Sequence, residues 1–233
     1  MAVFCDFENV ALGVRDAKYD KFDIAKVLER LLLKGSIVVK KAYCDWERYK
    51  EFKTVMHGAS FELIEIPHLR QSGKNSADIR MVVDALDLCY TKAHVDTFVI
   101  ISGDSDFSPL VSKLRENAKI VIGIGVKNST SDLLIANCDE FIFYDDLVRE
   151  DEAKKRRVKK AAERAPKGEA KKDGEIKKGE KAEKAVKGAE ERKQEALDFV
   201  LETVEALGKE RGEEEKVWGS MVKQALKRRN PGF

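Results

Sequence analysis

Along residues 1–148, short apolar, β-branched runs alternate with stretches of helical periodicity, and this alternation limits the fold more than any other feature. Strand candidates fall at 2–7, 36–43, 61–67, 97–102, 119–125 and 140–144. Between them, residues 23–33 carry Ile24, Val27, Leu28, Leu31 and Leu32 at helical spacing; 46–58, 76–92, 107–117 and a short 132–137 read as further helices. Each strand–helix–strand step is a crossover, so the repeat implies right-handed βαβ units. The expected fold class is α/β, with a mainly parallel sheet covered by helices on both faces.

In such a sheet, ligands bind beyond the carboxyl ends of the strands. Four aspartates stand at those ends or where the next helix begins: Asp6 in Val3-Phe-Cys-Asp-Phe-Glu-Asn9, Asp78, and Asp104 and Asp106 in Ser102-Gly-Asp-Ser-Asp-Phe107. Singly, each has an ordinary explanation. Asp6 can be a loop or cap acid, Asp78 a first-turn acid that complements the helix dipole, and Asp106 a cap for 107–117 with Pro109 in its first turn. Capping leaves Asp104 unaccounted for. Together the four lie after the first and fourth strands and at an intervening helix start, near the expected topological switch point. Converging carboxylates repel one another unless a hard cation such as Mg²⁺ sits among them. A cation there activates water and takes up charge on phosphate oxygens, which phosphodiester hydrolysis requires.

Basic side chains must then receive the flanking phosphates. Arg70 and Lys74, in the Gly/Ser/Asn-rich loop before Asp78, are the first candidates, followed by Arg80 and Lys127; the competing explanation for each is a solvated surface cation. Phe107 and Trp46 are the aromatic candidates for base stacking, although an aromatic in a helical pattern is more often core.

Charge is divided unevenly. Residues 1–150 carry 20 Lys and Arg against 24 Asp and Glu, and residues 151–233 carry 24 against 18. Residues 150–193 are almost entirely Lys, Glu, Arg, Ala and Gly, too poor in apolar surface to offset chain entropy, and read as a flexible or transiently helical linker. Its opening run, Lys154-Lys-Arg-Arg-Val-Lys-Lys160, is either a solvated tether or a non-specific phosphate contact. From Glu195 a helical face returns at Leu197, Val200, Leu201, Val204 and Leu207, with Gly208 able to cap it, and Val217 to Arg229 reads as a shorter helix with a basic end. The expected division is therefore 1–149, 150–193 and 194–233.

The four cysteines, Cys5, Cys44, Cys89 and Cys138, form no CxxC pair, and the three histidines form no cluster, so reduced thiols are expected instead of a disulfide frame or zinc site. A charge at residue 6 argues against a secretory signal, and no apolar run approaches the ~20 residues of a membrane span. The expectation is a cytoplasmic protein with no membrane association.

Asp6-Phe-Glu-Asn9, the pair Lys74-x-x-x-Asp78 and Ser102-Gly-Asp-Ser-Asp-Phe107 resemble the NYN domain, a PIN-like nuclease fold, in its LabA-like branch. The resemblance covers roughly residues 1–148 and implies a PIN-like α/β/α sandwich and metal-dependent cleavage of RNA, single-stranded by expectation, with Mg²⁺ or Mn²⁺ as cofactor. It implies Asp6, Asp78, Asp104 and Asp106 as the catalytic, metal-holding cluster, and Asn9 and Ser102 as supporting polar groups on the substrate side. Residues 195–233 are similar to the front of an OST-HTH (LOTUS) domain, a module tied to RNA binding, and this segment is where a protein partner is expected to dock.

Two other readings compete. A binding module with the same fold and acids would hold RNA without turnover. A haloacid-dehalogenase-type phosphatase also begins with an aspartate after its first strand, but wants an acid two residues later and then Gly-Thr. Here Asp6-Phe-Glu8-Asn9-Val10 supplies the acid and lacks the Gly-Thr.

Overall fold

The alternating pattern forms six strands among the described residues: β1 (Ala2–Asp6), β2 (Val39–Cys44), β3 (Glu62–Glu65), β4 (Thr97–Ile101), β5 (Ile120–Gly125) and β6 (Glu140–Phe143). They belong to a computed structural model that describes residues 1–66, 76–164, 180–212 and 216–232. All pair in parallel in one sheet of order β3-β2-β1-β4-β5-β6. Every strand expected from the sequence is present and one to three residues shorter overall, with β2 starting three residues later than expected and running one residue further, to Cys44. The α/β/α class is borne out, and the sheet is wholly parallel.

The two faces follow from the period-2 alternation of β1 and its neighbours. Val3, Cys5, Val99 and Ile101 point to one layer, built from α1 (Phe7–Asp16), α2 (Ile24–Lys34), α3 (Lys50–Gly58) and the start of α7 (Tyr144–Arg164). Ala2, Phe4, Phe98 and Ile100 point to the other, built from α4 (Ser76–Thr91), α5 (Ser108–Glu116) and α6 (Asp132–Asn137). Phe4 and Phe98 stack across the central strand pair with ring centroids 6.0 Å apart. Each large side chain buried this way contributes about 1.5–3 kcal/mol.

Helix is found in two stretches where the sequence reading placed none that is stable. No helix was expected over 7–16, yet Phe7, Val10 and Val14 are spaced for one buried face, and Asp6 caps it. Residues 150–164 and 180–193, expected as a flexible or transiently helical linker, are helical within α7 and α8 (Glu180–Arg211). The Lys, Glu and Ala that cannot build a core are strong helix formers, so backbone propensity decides where packing does not.

The chain divides into two compact units: Met1–Leu31 with Ser36–Ala153, and Leu32–Gly35 with Lys154–Phe233. In the second unit, α8 and α9 (Gly219–Arg229) are joined by Arg229. Its guanidinium donates to Thr203 Oγ1 at 2.7 Å and to Glu202 Oε1 at 2.9 Å, and lies 4.9 Å from the Phe199 ring centroid. The helix expected to end near Gly208 continues to Arg211, and Gly212, with φ +82°, makes the left-handed turn that ends it. Among the described residues no helix is long and apolar enough to cross a membrane. All four cysteines are free thiols, with Cys5, Cys44 and Cys89 buried.

Candidate active site

The sheet order reverses direction at β1, between β2 and β4. From β1 the chain turns into α1 on one face, and from β4 into α5 on the other. In such sheets this divergence is where a ligand is received, beyond the carboxyl edge and between the two strand ends.

Hydrogen bonds bind the two strand exits together. Ser102, wholly buried, donates its hydroxyl to Asp6 Oδ2 at 2.9 Å and accepts the Asp104 N–H at 3.2 Å. The Gly103 N–H donates to Asn9 Oδ1 at 2.9 Å. Asp6 Oδ1 accepts the Asn9 N–H at 3.4 Å, closing the N-terminus of α1. Gly103 must be glycine, because a Cβ there would drive into the backbone carbonyl of Ser129.

Capping at the second exit falls to a different acid from the one expected. Asp104 accepts the Asp106 N–H at 3.0 Å and caps the tight turn Ser105–Phe107, while α5 itself starts from Phe107 with no side-chain cap. Asp106 stays exposed at the mouth, and Asp104 is half-buried beside it.

The carboxylates share one electrostatic field. Burial first, then the charges of Asp78 and Asp104, raise Asp6 from 3.8 to about 7, against the opposing hydrogen bonds from Ser102 and Asn9. Asp78, in the first turn of α4, rises to about 6 through burial and the charges of Asp104, Asp106 and Glu8. Perturbed carboxyl groups gathered at a cleft are what a functional site requires and an ordinary surface does not. Among the described residues no group of three or more His, Cys, Asp or Glu is arranged to hold a metal ion.

The other expected residues are placed as follows. Asn9 and Ser102 hold the two strand exits together, Ser102 through Asp6 and Asn9 through the Gly103 N–H, which fits the expected supporting role. Arg80 turns aside to pair with Asp84 at 3.1 Å, and Asp84 also accepts the Tyr43 hydroxyl at 2.9 Å. Lys127 lies exposed in the turn Lys127–Ser129 after β5, its backbone N–H bonded to Asp145 at 2.8 Å. Arg70 and Lys74 lie outside the described residues. Phe107 and Trp46 are buried core aromatics, which removes them as stacking surfaces.

Sequence reasoning missed Glu8. It stands in the first turn of α1, its charge reaches Asp78, and it accepts a hydrogen bond from Arg48 Nη1 at 3.0 Å. Its position two residues after Asp6, on the turn that leaves the strand, was the available signal.

The NYN domain family profile matches residues 1–145. An uncharacterized protein of Methanocaldococcus jannaschii is 29% identical over 112 residues, covering 48% of this chain and 43% of that protein. The chain thus spans less than half the length of that relative. The crystal structure of a protein of unknown function from Vibrio parahaemolyticus matches with a TM-score of 0.55 at 29% identity, over 63% of this chain and 93% of that one.

Proposed function

The chain belongs to the NYN domain family, whose domains are nuclease-like, and from that premise we propose that it is a metal-dependent ribonuclease of the LabA-like branch. One observation carries the reading: the carboxyls of Asp6 and Asp78 are raised first by burial and then by the charges of neighbouring acids, Asp78 and Asp104 acting on Asp6, and Asp104, Asp106 and Glu8 acting on Asp78. An all-carboxylate donor set fits a hard divalent cation, Mg²⁺ or Mn²⁺. Asp6, Asp78 and Asp104 would hold it, with Asp106 at the exposed rim. A cation bound there supplies charge neutralisation at the phosphate and lowers the pKa of water.

The protein's own part is positional. The Ser102 hydroxyl orients Asp6 and, through the Asp104 N–H, fixes the start of the acidic turn. Asn9 pins Gly103, so the β1 and β4 exits move as one body and the acids keep their spacing as charge develops on phosphate. With its carboxyl raised to about 7, Asp6 ionises near neutral pH, so deprotonating it to serve as a ligand costs little there. The OST-HTH-like C-terminal segment is read as an accessory contact for RNA or a protein partner.

The second reading, an RNA-binding regulatory module without turnover, is favoured by the lack of a preassembled metal-holding group among the described residues. Incubating the protein with end-labelled single-stranded RNA and its DNA counterpart, in Mn²⁺, Mg²⁺ or EDTA, separates the readings. Metal-dependent cutting of RNA is expected. Cutting of DNA alone would overturn the substrate class, and RNA retention without cutting in any metal would favour the binding module.

A further inference from the structure

The acidic crevice poses an electrostatic problem, because RNA must approach five carboxylates, counting Glu8, that repel its phosphates. A cation bound among the acids can neutralise the scissile phosphate, and a neighbouring phosphate needs a positive group of its own. Arg80 is drawn away by Asp84, but Arg48 is differently placed. Residues 45–49 project beyond β2, which neighbours β1 in parallel register, with Asp6 opposite Tyr43. Arg48 therefore stands at the same carboxyl edge as the acids, in the loop that precedes α3.

Glu8 fixes it there. Arg48 Nη1 donates to Glu8 Oε1 at 3.0 Å, bridging a turn of α1 that begins at Asp6. The Arg48 side chain is 53% exposed and Glu8 29%, so Arg48 is the more exposed member of the pair. One Nη is committed, and the remaining N–H groups have no partner among the described residues. A guanidinium anchored through one Nη, on a side chain that stays half exposed, keeps N–H donors for phosphate oxygens. As an exposed ion pair it does little for stability.

We propose that Arg48 is a substrate-binding residue that receives an RNA backbone phosphate adjacent to the scissile one. The inference rests on the ribonuclease reading for the word scissile; the phosphate contact itself requires only that RNA binds. Anisotropy of a fluorescein-labelled single-stranded oligouridylate, titrated with the full chain in EDTA over a salt series, tests it. Arg48→Ala should bind about tenfold more weakly at low salt and flatten the slope of log K against log[salt] by about 0.7. Arg48→Lys should restore the slope. In Mn²⁺, Arg48→Ala should raise KM and leave kcat nearly unchanged, the mark of uniform binding. Wild-type affinity and slope in Arg48→Ala would overturn the proposal while leaving the nuclease reading intact. RNA binding without cutting by wild type would sink the nuclease reading, and the slope would still decide Arg48. Failure of wild type to bind the oligonucleotide both in EDTA and in Mn²⁺ would overturn both.

Discussion

Asp6 shows how a single side chain links stability to function. Its carboxyl is 7% exposed and raised to about 7, so the folded chain holds a proton that the unfolded chain releases near 4. The stabilising contribution of the protonated form is complete below about pH 4 and is lost as pH rises through about 7. The difference between 3.8 and about 7 corresponds to roughly 4 kcal/mol at most. Asp6→Asn keeps an acceptor for Ser102 and removes the buried charge. It should melt at higher temperature than wild type at pH 8 without metal, by several degrees, with the gap closing as pH falls to 4. A gap independent of pH in scanning calorimetry would contradict this. Gly103→Ala should act in the opposite direction, destabilising by about 1–3 kcal/mol as the Ser129 backbone is pushed aside. Denaturant melts that match wild type would show that the loop yields freely. The acids themselves were legible in the sequence, because strand ends and Gly-Asp-Ser-Asp turns are local signals. Ser102 holding Asp6 across 96 residues was not legible, since it depends on which strands become neighbours.

Elements were readable wherever apolar spacing had a single period. All six strands announced themselves by β-branched runs, and α2 to α6 by their buried stripes. α1 escaped because its stripe, Phe7, Val10 and Val14, follows directly on a strand and merges with its apolar run. α8 was mis-ended because Gly208 looks like a stop, whereas the backbone turns left-handed only at Gly212. This distinction can be tested. A Cβ at Gly208 meets no described atom within 4 Å, so Gly208→Ala should stabilise the helix by about 0.5–1 kcal/mol. Gly212→Ala should destabilise its end, because φ +82° strains any residue with a Cβ. Circular-dichroism melts showing both substitutions shifted in the same direction would refute the assignment of the helix end.

At the scale of the whole molecule, strand order creates the site. With β1 flanked by β2 and β4 and the following helices sent to opposite faces, Asp6, Asp104 and Asp106 leave the sheet at neighbouring strand ends, and the charges of Asp104 and Asp106 act on Asp78 in α4. The sequence implied a parallel sheet through its alternation, and a switch point through the position of its acids. The order of the strands could not be read, because pairing reflects packing between distant segments and leaves no local mark. The central claim is that these acids constitute a metal-dependent ribonuclease site. Cleavage of labelled single-stranded RNA by wild type and Asp104→Asn, each with Mn²⁺ and with EDTA, tests it most directly. Asn keeps the Oδ1 that caps the Ser105–Phe107 turn, so the variant should fold as wild type does. The account predicts cutting by wild type in Mn²⁺ alone, and loss of at least a hundredfold in the variant. A well-folded Asp104→Asn protein that cuts at the wild-type rate would contradict it.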